Sequence, residues 1–280
     1  MFSKFDDVKL QEVLGMIVTD LPLSKSGKSA LEVATGAVKQ AGELLLAHLH
    51  SNKRIKAKDK NHPVTDVDIL SEKAITKFLT DEYPGFGILS EELAPFTPVT
   101  GYTWVVDPLA GTSNYILSIP FFCINVALVK DGDIRLGITY DPVRDELFRA
   151  ERGKGAYLND SPVHVSEKAL LKTALLSFDP GYGHIQGKKL LNLVASLWPE
   201  VHGLRSLGSA SVSLAYVACG RFDLYVRSYL YPWDIASGIL LVEEAGGKVT
   251  DWQGKPAGLQ SKEIIAANHK LHQKWLNQME

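Results

Sequence analysis

The stretch Trp104-Val-Val-Asp-Pro-Leu-Ala-Gly-Thr-Ser-Asn-Tyr115 decides the expected fold. Its apolar start is typical of a buried strand, which we expect to end at Asp107-Pro108. Such a strand places the carboxylate of Asp107 at the edge of a core, where a charge is costly unless it is paired or bound to a metal ion. Pro108 then turns the chain, and Gly111 and Thr112 supply flexible backbone amides at a helix start. This order of strand, glycine turn and helix is typical of an anion-binding site.

Three further segments place carboxylates beside a structure-breaking residue or at the end of an element. They are Pro63-Val64-Thr65-Asp66-Val67-Asp68, Ser90-Glu91-Glu92 and Tyr231-Pro232-Trp233-Asp234. Taken singly, Asp68 has an ordinary interpretation as a residue in the first turn of a helix, and Asp234 as a helix cap. Carboxylates beside a phosphate site repel their ligand unless cations intervene, and hard oxygen ligands of this kind suit Mg²⁺.

Helix and strand patterns alternate along the chain. Apolar positions at helical spacing predict a first helix from Ser29 to His50, and Thr65 or Asp66 can cap a second helix that runs to about Asp81. We then expect strands at 102–106, 173–178, 203–207 and 223–227, a hairpin around the turn 130–133, helices at 188–198, 209–219 and 234–245, two late strands, and a short helix from His269. This alternation predicts a layered α/β fold.

Length and composition are those of a globular protein with a large core. The chain has 280 residues, 45% of them hydrophobic, and its formal net charge of −2 gives no sign of a nucleic-acid polymer or a membrane as partner. We divide it into an N-terminal extension at 1–28, an N-terminal half at 29–172 that carries the main acidic motif, and a C-terminal half at 173–280. The two halves are expected to form one compact unit.

Cysteine use and the N-terminal residues bear on the compartment. The two cysteines, Cys123 and Cys219, both lie in apolar stretches, so we expect no disulfide scaffold and a reducing compartment. The N-terminal stretch carries charges within its apolar residues and lacks the uninterrupted apolar core of a signal peptide. No run approaches the roughly 18 apolar residues of a membrane span. These features predict a cytoplasmic protein.

The four acidic motifs, in this order, resemble those of the inositol monophosphatase superfamily, which includes fructose-1,6-bisphosphatase-like and 3'-phosphoadenosine-5'-phosphate phosphatase branches. The first family signature, Trp-x-x-Asp-Pro-Ile/Leu-Asp-Gly-Thr-x-Asn-Phe/Tyr, matches 104–115 except at Ala110. The second, Trp-Asp-x-Ala-x-Gly followed by Glu-Ala-Gly-Gly, matches 233–238 and 244–247. The resemblance covers nearly the whole chain after about residue 30, and four ordered motifs are far more specific than any one alone.

The resemblance implies a fold and an activity. The fold is a layered α-β-α-β-α sandwich of the sugar-phosphatase type, and the family is usually dimeric, so a homodimer is expected. The activity is Mg²⁺-dependent hydrolysis of a small phosphate monoester with two or three ions per site, and lithium inhibition is common in the family. One ion activates the attacking water and another stabilises charge on the leaving oxygen.

The resemblance also implies roles for ten residues. Glu91, Asp107 and the Leu109 carbonyl would hold the first metal ion. Asp107 and Asp234 would hold the second ion, together with the carboxylate that is missing at Ala110. A third, weaker ion would contact Glu91. The catalytic candidates are Asp68, Thr112 and Glu91, of which Asp68 and Thr112 would orient the attacking water. The substrate-binding candidates are Gly111 and Thr112, whose amides would cradle the phosphate, with Ser209, Arg227 and Asp234.

Ala110 stands where the family has aspartate. It offers no side-chain oxygen, so we expect weaker binding of the second ion and a turnover lower by on the order of 10²–10⁴. An engineered Asp→Ala change and a natural pseudoenzyme are the two explanations. A decaying site would have lost other ligands too, so the retained carboxylates at the four motifs favour the engineered change.

The substrate is less well defined by the sequence. Polyol-selective family members often carry Glu seven residues before the aspartate of the second signature, where this chain has Arg227, which suggests a second anionic group on the substrate; the alternative is a surface or dimer contact. Ser209 either faces substrate or caps a helix, and the basic stretch from Lys53 to Lys60 is either a phosphate attractor or a solvated turn. An inositol or sugar phosphate is the leading substrate, with a nucleotide 3'-phosphatase and a non-catalytic phosphate-ligand binding protein as alternatives.

Overall fold

The structure is a computed structural model that describes residues 21–57, 63–93, 100–181 and 183–278. Two helices form its first layer: α1, Ala30–His48, and α2, Asp66–Glu82. Each helix begins with a capping box. The side chain of the cap residue, Ser29 or Thr65, accepts from the backbone N–H of the third helical residue, and the carboxylate of that third residue accepts from the backbone N–H of the cap residue. These caps explain why both predicted helices are confirmed at nearly the predicted starts.

The predicted N-terminal extension lies only partly within the described residues, because 1–20 fall outside them. Residues 21–28 form a turn that is held against the end of α2. Lys25 N donates to Glu82 O at 2.9 Å, and Ser26 Oγ donates to a Glu82 carboxylate oxygen at 2.6 Å. Of the basic stretch, 53–57 is described and contains a short strand, whereas 58–60 lies outside the described residues.

A seven-stranded sheet forms the second layer. Its strands, in spatial order, are β3 Gly87–Ser90, β4 Tyr102–Ala110, β5 Cys123–Lys130, β6 Asp133–Asp141, β7 Glu146–Glu151, β8 Ala156–Leu158 and β9 Ser161–Pro162. β3 is parallel to β4 and the remaining neighbours are antiparallel, so the predicted hairpin around 130–133 is confirmed as β5–β6. A small separate ladder pairs β1, Ile55–Ala57, with β2, Pro63–Thr65.

A five-stranded sheet and the remaining helices build the C-terminal part. In spatial order its strands are β11 Gly203–Arg205, β10 Leu175–Asp179, β12 Leu224–Ser228, β14 Glu263–Ala267 and β13 Lys248–Thr250. β10 is parallel to both β11 and β12. The helices are α3 Thr112–Ile116, α4 His184–Leu197, α5 Ala210–Ala218, α6 Pro232–Glu244 and α7 His269–Leu276, with 3-10 turns at Leu171–Thr173 and Trp198–Glu200.

Three apolar cores hold the five layers together, and the second of them extends over both sides of the middle helical layer. The first core lies between α1, α2 and one face of the large sheet; the second between its other face, α5, α6 and the small sheet; the third between the small sheet, α4 and α7. Side chains along β4 point alternately to the two faces of the large sheet, so one strand contributes to two cores. Val105 belongs to the second core, and Trp104 and Val106 belong to the first. The predicted α-β-α-β-α sandwich is confirmed.

Several predicted boundaries differ from the structure, among them the start of the helix expected at 188–198, which begins at His184. Two of them lie at the pocket. The strand expected at 102–106 does not end at Asp107-Pro108 but continues to Ala110, with a register shift between Asp107 and Ala110. A bulge tolerates Pro108 because the irregular ladder demands no N–H there. The helix expected to begin at Asp234 begins at Pro232, since the missing N–H of proline costs nothing in the first helical turn.

Other expectations concern cysteines and membranes. Cys123 is buried and Cys219 partly buried, and both are free thiols. Burial is the largest cause that raises the pKa of each thiol. In the described ranges, no helix combines the length and apolar character needed to cross a membrane.

A buried histidine ties α7 to the edge of the small sheet. His272 is 1% exposed, and its Nε2 lies 2.8 Å from Thr250 Oγ1. The Thr250 hydroxyl donates to Asp251 O at 2.7 Å, so it accepts from His272. Burial, followed by the charges of Lys248 and His269, lowers the pKa of His272 to about 4. The ring is therefore neutral in the folded protein.

His272→Gln should flatten the dependence of stability on pH. Because the folded-state pKa lies below the unfolded value, the unfolded chain takes up the proton first as pH falls from 6.5 toward 4. The free energy of unfolding should fall by roughly 3 kcal/mol over this range through His272, and this part should be absent in the variant. Urea unfolding at several pH values measures it. The exposed His184→Gln should keep the parent slope, and equal slopes for the parent and His272→Gln would contradict this role.

Candidate active site

Nine of the ten predicted site residues line one pocket between the two sheets: Glu91, Asp107, Leu109, Ala110, Gly111, Thr112, Ser209, Arg227 and Asp234. The large sheet supplies its first wall through the end of β4 and the turn after it. The second wall comes from β12 and the N-terminal ends of α5 and α6. Asp68 does not line the pocket and lies behind Thr112.

The turn after β4 fixes the first wall. Asp107 is 1% exposed, and its Oδ1 accepts from Leu109 N at 3.1 Å. Ser71 on α2 donates to Pro108 O at 2.9 Å, so the turn is anchored to the first layer. Gly111 has φ +102°, and a Cβ there would lie 2.9 Å from Phe121 O. Both the backbone conformation and the available space therefore require glycine.

A short hydrogen-bonded chain runs from Thr112 to the start of α2. Thr112 Oγ1 lies 3.0 Å from Asp68 Oδ1 and 3.1 Å from Leu109 O, and its single proton serves one of them at a time. Asp68 also accepts from Thr65 N at 2.9 Å. Burial raises the pKa of Asp68, and the hydrogen bonds from Thr65 and Thr112 oppose that rise. The first-turn interpretation of Asp68 is thus correct, and the same carboxylate positions Thr112.

Two helix starts form part of the second wall. Asp234, at the third position of α6, accepts from Tyr231 N at 2.7 Å, and the helix N-terminus stabilises its negative charge. Ser209 caps α5, with Val212 N 3.5 Å from its Oγ, and the same hydroxyl donates to Ala110 O at 3.3 Å. The helix-cap interpretation of Ser209 is therefore correct, and the residue also lines the pocket, while its contact with a substrate stays a prediction.

A buried polar network missed by the sequence reasoning joins the two walls. Asn125 on β5 faces Asp107 across the ladder, and its Nδ2 donates to Ser211 Oγ. Ser211 in turn donates to the backbone carbonyl of Asp234 at 2.9 Å, while Thr139 donates to Asn125 Oδ1 at 2.8 Å. The signal was an asparagine in the otherwise apolar strand at 123–130, where a buried amide needs partners.

The donors in the pocket agree with Mg²⁺ in kind. Glu91, Asp107 and Asp234 supply carboxylates and Leu109 a carbonyl, all of them hard oxygen donors. Within the described ranges, however, no three His, Cys, Asp or Glu side chains lie close enough to hold an ion by themselves. Ala110 also lines the pocket and contributes no side-chain oxygen. The set thus fits Mg²⁺ in the chemistry of its donors, and the position at which the family signature has aspartate supplies none.

Sequence comparison agrees with this geometry. A sequence profile described as the inositol monophosphatase family matches residues 28–279. The chain belongs to the inositol monophosphatase family. Inositol-1-monophosphatase from Caulobacter vibrioides is 36% identical to it over 90% of the chain and 98% of the relative. Nus factor SuhB from Xylella fastidiosa is 38% identical over 87% of the chain and 92% of the relative.

Solved structures of this family share the fold. The crystal structure of the extragenic suppressor protein suhB from Bartonella henselae superimposes with a TM-score of 0.85 and 36% identity. The match covers 89% of this chain and 98% of that one. The five-layer sandwich is therefore the inositol monophosphatase fold over nearly the whole length of the chain.

Gly111→Ala should destabilise the protein by about 2–4 kcal/mol, since the new Cβ would meet a backbone oxygen and the residue would keep a positive φ. Two controls separate these causes. Gly27 has φ +81° with open space around it, so Gly27→Ala should cost about 1 kcal/mol; Gly85→Ala, with open space and no positive φ, should cost close to nothing. Urea unfolding provides all three values, and equal losses at Gly111 and Gly27 would disprove the steric contribution.

Proposed function

We propose that this site is built for Mg²⁺-dependent hydrolysis of a small phosphate monoester, an inositol phosphate or a sugar phosphate. The observation that carries the proposal is the convergence on one pocket of nine expected site residues, which come from three of the four acidic motifs and from the separate positions Ser209 and Arg227. The name of the Caulobacter vibrioides relative, inositol-1-monophosphatase, supports the substrate class. A homodimer and a cytoplasmic location belong to the same proposal.

The proposed metal ligands are the oxygen donors of the pocket. Glu91, Asp107 and the Leu109 carbonyl would hold one Mg²⁺, and Asp107 with Asp234 a second, with a weaker third ion at Glu91. Bound Mg²⁺ would neutralise phosphoryl charge and act as a Lewis acid toward water and the leaving oxygen. Two or three ions per site remain part of the proposal.

The chain's own side chains would position the reactants. The Thr112 hydroxyl, held between Asp68 and the Leu109 carbonyl, offers a lone pair that orients an attacking water. Asp68 keeps this hydroxyl in place from behind, and Glu91 on the pocket wall is the further acid–base candidate. The amides of Gly111 and Thr112 would hold the phosphate, a role that depends on the turn geometry described above.

Ala110 is proposed to impair turnover in this chain. The position lies on the pocket wall beside Asp107 and is 6% exposed, so a carboxylate there would reach the ions without rebuilding the fold. The other acidic residues are all retained, which supports an engineered Asp→Ala change over a decayed site.

Ala110→Asp should raise the rate of Mg²⁺-dependent phosphate release by on the order of 10²–10⁴. The control Ala110→Asn has nearly the same shape without the charge and should recover much less. Phosphate release is measured with inositol 1-phosphate, fructose 1,6-bisphosphate, histidinol phosphate and 3'-phosphoadenosine-5'-phosphate, with and without Mg²⁺. Equal rates for the parent chain and Ala110→Asp would refute the impairment, and preference for the nucleotide would replace the proposed substrate class.

A second candidate is binding of a phosphorylated ligand without turnover. Ala110 is the observation that favours it, because the pocket keeps its phosphate-facing turn and loses only an expected metal ligand. The same substrate panel separates the two functions. An inactive Ala110→Asp protein that binds the phosphate esters as tightly as the parent would favour the non-catalytic role.

A further inference from the structure

Arg227 lies where three parallel strands end against the pocket. It is the fourth residue of β12, and its register partner on the neighbouring parallel strand β10 is Asp179. The loop after β11, the third parallel strand, leads to Ser209 on the pocket wall. Ligands in open α/β sheets collect at the carboxyl ends of such strands. Arg227 therefore occupies a position in the fold from which it can contact a ligand.

The guanidinium of Arg227 is buried with incomplete partners. Its side chain is 11% exposed, and Nε is buried without a hydrogen-bond partner among the described residues. In its ion pair with Asp179, Nη1 lies 4.0 Å from Oδ2, beyond hydrogen-bond distance. A buried guanidinium carries five donors and a charge that is costly to desolvate. Among the described residues, Tyr225 and the carboxylates of Asp179 and Asp234 stabilise this charge, and they leave Nε without an acceptor.

The Asp179 carboxylate is engaged by other donors, and it lies beyond hydrogen-bond distance of the guanidinium. Oδ1 accepts from Ser206 Oγ at 2.7 Å and from Gly208 N at 3.1 Å. Oδ2 accepts from the Tyr225 hydroxyl at 3.0 Å. The carboxylate therefore fixes the loop before α5 and holds Arg227 by charge at a distance. Arg227 itself lines the pocket, and its guanidinium is not held by Asp179 at hydrogen-bond distance.

The charges that line the pocket indicate that Arg227 and the phosphate-binding turn at Gly111 bind different groups of a ligand. The acidic lining residues Glu91, Asp107 and Asp234 suit cations, whereas Arg227 is the one cationic side chain among the described lining residues. It stands on the wall from the small sheet, and the turn at Gly111 stands on the wall from the large sheet. A substrate held at the turn would present its leaving group to the Arg227 wall.

We propose that Arg227 is a specificity-determining residue that binds a second anionic group, a phosphate, on the leaving group of the substrate. This inference rests on the proposed function, because the leaving group lies in the same pocket. Planar guanidinium forks bind phosphate through two parallel hydrogen bonds, and they cannot accept a hydrogen bond from a polyol hydroxyl. The residue thus selects bisphosphates over neutral polyol monophosphates.

An aromatic wall beside Arg227 would contact the carbon skeleton of that leaving group. Tyr231 and Trp233 both line the pocket, with ring centroids 5.1 Å apart and planes within 6° of each other. Tyr229, also on the lining, has φ +63°, a conformation rare for a bulky residue. Rings of this kind pack against a sugar face or a nucleobase. The second phosphate can therefore come from a sugar bisphosphate or from a nucleoside bisphosphate.

Binding to the chain as it stands tests the proposal without any need for turnover. Isothermal titration at fixed Mg²⁺ compares fructose 1-phosphate with fructose 1,6-bisphosphate, which differ only in the second phosphate. The bisphosphate should bind at least about tenfold more tightly. In Arg227→Gln this preference should fall to about one. Arg205→Gln removes an equal charge from an exposed position on the same sheet and should keep the parent preference.

Two further experiments determine whether the second phosphate belongs to a sugar or to a nucleotide, and keep the test valid if one variant does not fold. Adenosine 3'-phosphate and adenosine 3',5'-bisphosphate repeat the comparison for a nucleotide leaving group, and the pair with the larger preference names the substrate class. Arg227→Lys keeps the positive charge but loses the planar guanidinium, so its preference for the bisphosphate should be intermediate. This variant replaces Arg227→Gln if the latter does not fold.

An unchanged preference in Arg227→Gln would overturn the proposal, as would equal binding of mono- and bisphosphates by the parent chain or no binding of either bisphosphate. Failure of the proposed function is a different result. In that case Ala110→Asp releases no phosphate from any ester. The ratio of the dissociation constants for the mono- and bisphosphate, and the loss of this ratio in Arg227→Gln, still test the role of Arg227 in binding.

Discussion

The carboxylate of Asp107 lies at the end of a buried strand and is 1% exposed, and the surrounding structure is arranged around this charge. Burial of a carboxylate is costly unless donors or cations compensate it, and Leu109 N supplies one donor at 3.1 Å. The strand therefore bulges after Asp107 instead of continuing its ladder, and the chain reverses at Gly111. Leu109 and Ala110, which follow in this irregular stretch, both line the pocket.

The site needs both sheets, so its geometry depends on the helical layer between them. The network from Asn125 through Ser211 to the Asp234 carbonyl fixes the distance between the walls from within that layer. The Thr112 to Asp68 hydrogen bond fixes the first wall from the opposite side. Because side chains interdigitate at crystal-like density, a change in any layer is transmitted to the pocket. The fold thus acts as a rigid frame for a small set of oxygen donors.

Local signals in the sequence were enough to predict the layers and the two capped helices at Ser29 and Thr65, because these caps need only residues three positions apart. The convergence of the four motifs was also predicted, through the family resemblance. The link between Asp179 and Arg227 was not, because it depends on which strands become parallel neighbours and in what register. The network around Asn125 was missed for the same reason, since its partners come from distant segments.

The central claim is that the pocket is a site for metal ions with one carboxylate missing at Ala110. Titration with Mn²⁺, followed by electron paramagnetic resonance with Mg²⁺ as competitor, counts the bound ions without any substrate or turnover. The parent chain should bind at least one ion fewer, or bind it markedly more weakly, than the Ala110→Asp protein, and Mg²⁺ should displace the difference. Identical Mn²⁺ binding by the two proteins would contradict the claim.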